Sequence, residues 1–189
     1  MLFESSRSYD YGPFAYWTDG YLDWRRPANA GAVGERRPHD GWHWLQGAGR
    51  VDGRLFGGCA DVLEMMKGTR FWPGADFWND RILFLETSED KPTPETVGYW
   101  LRNYGVQGVF DRVSGVLVGR ARGYTDTEKA ALDAMVVRVI AGEFGAGELP
   151  IVTNLDFGHT DPQWILPLGV RAEIDVDARR FRLLEASVT

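Results

Sequence analysis

Two apolar runs in this chain end in polar residues of catalytic type. Ile82-Leu83-Phe84-Leu85 runs into Glu86, and Asn154-Leu155-Asp156-Phe157-Gly158 runs into His159-Thr160-Asp161-Pro162. A histidine can take and return a proton near neutral pH. A carboxylate on its second ring nitrogen fixes the tautomer and stabilises the imidazolium that forms. Glu86 and His159 are therefore candidates for the acid and the base of a hydrolytic triad, whose third member is a nucleophile. The serines, Ser5, Ser6, Ser8, Ser88, Ser114 and Ser187, supply none in a recognisable setting, since no Gly-x-Ser-x-Gly elbow is present. Cys59 follows Gly57-Gly58 and opens a predicted helix, where a helix dipole can lower a thiol pKa. A buried structural cysteine is the commoner situation. His39 and His43 are four apart, but Pro38 and Gly41 oppose a helix there and no third ligand is evident, so no metal site is expected.

The elements that must position Glu86 and His159 follow from the apolar pattern. A strand is predicted from Arg54 into the glycine turn at Gly57-Gly58, then a short helix from Ala60 to Lys67 stopped by Gly68. Arg81 to Glu86 reads as a buried strand. Thr93-Pro94 opens a helix that ends near Tyr104-Gly105, with Thr93 as N-cap. Gly115 to Gly119 is a buried strand. Thr125-Asp126-Thr127-Glu128 is a capping box whose helix runs to about Gly142. Pro150 to Asn154 is the next strand. Arg171 to Val176 and Phe181 to Glu185 form a closing hairpin with its turn at Asp175 to Ala178. The predicted fold is α/β: a βαβαβ parallel core with added antiparallel strands from the hairpin and the strand near residue 55, in a layered β/β/α, swivelling-domain-like arrangement. Parallel strands bring their carboxyl ends to one sheet edge, where ligands bind in open α/β folds. Glu86 and His159 thereby become neighbours.

Residues 1–53 read as an arm and inter-domain loop, and residues 54–189 as the α/β domain. The arm holds Trp17, Trp24, Trp42 and Trp44, four of the eight tryptophans, with no helical or strand period. So many aromatics are costly to leave in water, so the arm is expected to be ordered and packed. With 44% hydrophobic residues a real core can be buried, and a net charge of -6 gives no basic footprint for nucleic acid. No run has the length of a membrane span, and Met1 to Asp10 carries no apolar leader. One cysteine excludes an internal disulfide and suits a reducing, cytoplasmic setting.

Taken together, several runs resemble the LD-carboxypeptidase family of serine peptidases: Gly57-Gly58-Cys59-Ala60-Asp61-Val62-Leu63 with Lys67-Gly68-Thr69, Ile82 to Glu86, and Phe157 to Pro162 with Leu166-Pro167-Leu168-Gly169. Trp17-Thr18-Asp19 and Asp23-Trp24 resemble its microcin C self-immunity branch. The resemblance implies a two-domain enzyme whose N-terminal domain carries the serine and the oxyanion hole, and whose C-terminal domain carries Glu86 and His159. It covers the C-terminal domain only, so the nucleophile domain is expected to be absent from this chain and the chain inactive alone. It implies an amide substrate, a murein tetrapeptide L,D-bond or a peptidyl or aminoacyl adenylate, with no cofactor and commonly a homodimer. In the self-immunity branch a tryptophan of the inter-domain loop stacks on the nucleobase. Trp24 is the best positional match and Trp17 the second, and Cys59 is expected to line the substrate pocket. A different class of reading is a stand-alone binding module that uses the aromatic arm for stacking.

Overall fold

The computed structural model describes residues 8–187. Its strands are β1 (Tyr9–Tyr11), β2 (Tyr16–Trp17), β3 (Arg37–Pro38), β4 (His43–Gln46), β5 (Arg50–Cys59), β6 (Arg81–Glu86), β7 (Gly115–Gly119), β8 (Ile151–Leu155), β9 (Arg171–Asp175) and β10 (Arg180–Leu183). The helices are α1 (Ala60–Met66), α2 (Pro94–Val106) and α3 (Asp126–Val137), the last continuing as a π-helical segment over Arg138–Glu143. Eight strands form one mixed sheet in the order β1-β10-β9-β5-β6-β7-β8-β4, and β2 pairs with β3 in a separate ladder. The α/β fold with a parallel core is as expected from the sequence.

The centre of the sheet, β5-β6-β7-β8, is parallel throughout. The strand near residue 55 was expected to join the antiparallel part. It does so on one side only, pairing antiparallel with β9 and parallel with β6. The connection through α1 is therefore a third crossover. The arm also differs from expectation. It supplies β1 against β10 at one edge and β4 against β8 at the other, and β5 begins at Arg50, before residue 54. β1 and β4 are too short to show a period of two, and their pairing is set by the strands they meet.

The two-residue alternation of strands sorts the core, shifted once in β8 where Asn154 takes a φ of 59°. Leu83 and Leu85 of β6, Val116 and Val118 of β7 and Ile151 of β8 pack with the helices, around Leu63, Leu101, Tyr104, Leu132 and Val136. Ile82, Phe84, Leu117, Val152 and Leu155 point to the other face and pack with Tyr11, Trp164 and Phe181, with Phe14, Trp42 and Trp44 of the arm against them. Tyr11, Phe14, Trp42 and Trp44 of the arm thus cover the chain's own sheet. Glu86 continues the Ile82–Phe84 alternation, so its side chain belongs to the arm-covered face. Both long helices are capped as the sequence predicts. Thr93 accepts from the Thr96 amide, and Thr125 and Glu128 form the reciprocal capping box. Among the described residues, no helix is long and apolar enough to cross a membrane.

Candidate active site

Glu86 ends β6 with its side chain nearly buried, opposite Cys59 in register on β5. His159 lies on the loop that leaves β8 at the same sheet edge. Two glycines let that loop come against the strand ends. A Cβ on Gly119 would sit 2.4 Å from the Phe157 carbonyl oxygen, and one on Gly158 would sit 2.9 Å from Glu86 Cβ. Gly158 also has φ of 107°, a conformation that side chains resist. The result is a hydrogen bond of 2.6 Å between His159 Nδ1 and Glu86 Oε2, across 73 residues of sequence. Burial pushes the Glu86 carboxyl above its ordinary value, and His159 opposes that shift by bonding to the ionised form.

The loop is anchored from beneath. Asp156 is fully buried and bound on both oxygens: Arg120 donates to Oδ1 at 2.7 Å, and Trp42 Nε1 donates to Oδ2 at 2.9 Å. His39 Nε2 lies 3.2 Å from the same Oδ2. The Asp156 carbonyl accepts from the Trp164 amide at 2.7 Å. Beyond His159, Thr18 and Asp161 exchange backbone hydrogen bonds of 2.8 and 2.9 Å, tying the arm to the loop. A buried ion pair of this kind is held by geometry, because removal of either partner strands a charge.

The second nitrogen of His159 also has a partner. Nε2 lies 2.9 Å from Glu89 Oε2, whose side chain is half exposed. The loop carrying Glu89 is held by Asp61 at the start of α1, which accepts from the Ser88 amide at 3.2 Å and the Ser88 hydroxyl at 2.8 Å. Ser88 is thus committed elsewhere. Ser5 and Ser6 lie outside the described residues.

His159 and Glu86 open into a cleft of about 460 Å³ lined also by Tyr21, Phe84, Phe157 and Trp164. Tyr21 is shared with a second cleft of about 940 Å³, walled by Leu22, Trp24, Val33 and Asp161. Trp24 stands there 84% exposed, its ring free to meet a ligand. Trp17 is placed differently. It is buried, with Arg120, Lys129 and Arg37 at 5.0, 4.7 and 5.1 Å from its ring. Cys59 is half-buried beside Glu86, with Sγ 3.7 Å from Asp61 Oδ2. Burial pushes its thiol up to about 11, and Glu86 and Asp61 add to that shift. This is the opposite of nucleophile activation. His39 and His43 bond to different carboxylates, Asp156 and Asp133. No cluster of three or more His, Cys, Asp or Glu able to hold a metal occurs among the described residues.

Sequence reasoning missed Glu89, Tyr21 and the Arg120–Asp156 pair. The pair left a signal, since each is a lone charge bordering a buried strand and the two have opposite sign. Glu89 left none, because Ser-Glu-Asp after a strand reads as a solvated turn.

Residues 52–174 match the family model for the LD-carboxypeptidase C-terminal domain. A Vibrio cholerae protein named provisionally as a carboxypeptidase is 30% identical over 185 residues, 97% of this chain and 51% of its own length. The microcin C7 self-immunity protein MccF of Escherichia coli is 28% identical over 139 residues, 74% of this chain and 38% of its own. The crystal structure of an MccF-like protein from Streptococcus pneumoniae in complex with AMP superposes with a TM-score of 0.79 at 27% identity, covering 94% of this chain and 53% of that one. The chain thus spans about half the length of these relatives, or less.

Proposed function

This chain belongs to the LD-carboxypeptidase C-terminal domain family, and from that premise we propose that it supplies the acid and base of a Ser-His-Glu hydrolase. The carrying observation is the 2.6 Å bond between His159 and Glu86 at the open end of a parallel sheet. In this reading His159 Nε2 takes the proton from a serine hydroxyl brought by an N-terminal domain from outside these 189 residues. It then returns the proton to the leaving amine. Glu86 holds the imidazole in the tautomer with its proton on Nδ1 and stabilises the imidazolium. Burial suits Glu86 to that role, because the imidazolium is then its nearest counter-charge.

The substrate is an amide with a recognition group within reach of the arm. The larger cleft and its exposed Trp24 favour a peptidyl or aminoacyl adenylate over a murein tetrapeptide, since a flat base can stack there. The relative seen with AMP supports the same choice. The single free cysteine supports a cytoplasmic setting. If the chain instead works as a binding module, Trp24 is again the group that carries the binding.

The test is hydrolysis of an aminoacyl sulfamoyl adenylate and a murein tetrapeptide, by this chain alone and mixed with a nucleophile-bearing domain of a relative. Activity is expected only in the mixture. His159→Ala abolishes it, and Glu86→Gln lowers kcat by roughly 10⁴, as expected when a triad loses its orienting acid. Equal activity of wild type and His159→Ala refutes the assignment.

A further inference from the structure

Glu89 occupies the imidazole nitrogen that the proposed reaction needs. With Glu86 on Nδ1 at 2.6 Å and Glu89 on Nε2 at 2.9 Å, His159 carries a carboxylate on each side. A hydroxyl reaches Nε2 only by displacing Glu89. That displacement is easy, because the Glu89 side chain is 54% exposed and exposed ion pairs are weak. The displaced carboxylate stays close, however. Its neighbour Ser88 is fixed to Asp61 through both amide and hydroxyl.

Neither neighbouring cation forms an ion pair with it. Among the described residues Glu89 forms no ion pair except with His159. Lys91 on the same loop is engaged by Glu128 at 2.8 Å. Arg122, the cation beside the cleft, lies 3.8 Å from the Tyr21 ring and donates to the Asp19 carbonyl at 3.0 Å. When substrate and a nucleophile-bearing domain cover the cleft, water leaves and the carboxylate needs a counter-charge. A cationic group of the ligand can supply it.

Resting on the triad reading above, we infer that Glu89 is a specificity-determining residue: it yields His159 Nε2 to the nucleophile and pairs with an ammonium group of the substrate beside the reacting carbonyl. The favoured class is an aminoacyl compound with a free α-amine, over its N-acylated form.

The experiment is calorimetric binding of an aminoacyl sulfamoyl adenosine, with its α-amine free or acetylated, to this chain mixed with a relative's nucleophile-bearing domain whose serine is replaced by alanine. Wild type is expected to favour the free amine about tenfold or more, the ratio that one retained charge pair supports. Glu89→Gln brings the two probes within about twofold, and Glu89→Asp keeps most of the preference. A preference that survives in Glu89→Gln overturns the inference, as does wild type that fails to prefer the free amine. The readout needs no turnover, so it stands or falls separately from the triad. If Glu89→Gln speeds the complemented enzyme equally on both forms, Glu89 is only a stopper on the base and the inference is wrong.

Discussion

At the residue scale, the His159–Glu86 pair rests on buried groups beneath its loop. Arg120 and Asp156 are both 0% exposed and hold the root of the His159 loop. Replacing Arg120 by Met leaves Asp156 buried with only Trp42 and His39 beside it. The expected cost is about 3–5 kcal/mol in urea unfolding, the range for a stranded buried charge. A loss below about 1 kcal/mol would show that the Arg120–Asp156 pair is not what holds the root of the loop. Cys59 gives a second residue-scale prediction. Its thiol is raised from an ordinary 9.0 to about 11, so the neutral form is favoured and the thiolate is scarce at pH 8. Alkylation of the folded chain at pH 8 should run about tenfold slower than in the urea-unfolded chain, with the rate rising toward pH 11. Labelling as fast in the folded as in the unfolded chain would reopen Cys59 as a nucleophile.

At the element scale, the arm strand β4 is clasped to α3 by a second histidine–carboxylate pair. His43 Nδ1 lies 2.6 Å from Asp133 Oδ2, and Asp133 Oδ1 accepts from Thr153 on β8. The Asp133 hydrogen bond raises the His43 pKa above its ordinary 6.5, with Asp133 and Asp40 charges adding and burial and Lys129 opposing. A histidine whose folded pKa is raised stabilises the fold fully below its unfolded value, and that contribution fades as pH climbs through the folded value. Wild type should therefore exceed His43→Gln in unfolding free energy by more at pH 5.5 than at pH 8.5. Denaturant curves at the two pH values check this, and an advantage that grows with pH would show that the charged pair is not what holds the clasp. The same contacts explain what could be read from the sequence. The strands β6, β7 and β8 and the caps Thr93 and Thr125 were legible, because long apolar runs and capping residues carry their own local signal. The strand β4 was not, since His43–Gln46 is four residues without alternation and is a strand only because β8 offers it a partner.

At the scale of the whole molecule, Glu86 and His159 were legible as run-ending polar residues, and the parallel order of β6 and β8 was enough to bring them together. Glu89 and Tyr21 escaped, because their roles come from loop paths that no local pattern encodes. The division into a Trp-rich arm and an α/β domain followed composition, while the sheet recruits the arm at both ends. β1 closes the β10 edge, β4 closes the β8 edge, and Tyr11 and Trp42 pack on Trp164 at 4.7 and 5.1 Å between ring centroids. A chain trimmed to begin at Gly49 would bare two strand edges and the apolar face around Phe84, Leu117 and Phe181. Bare edges and apolar faces both drive association. The trimmed chain should bind a hydrophobic dye and form high-mass species by light scattering, where the chain of 189 residues does not. It should also lose the bond from Trp42 to Asp156, and with it the fixed seat of His159. A trimmed chain that stays monomeric and unfolds cooperatively at the parent temperature would show that the arm is an attachment to the domain. Aggregation that disappears when residues 8–48 are added back as a peptide would show that the arm is part of the fold that seats His159.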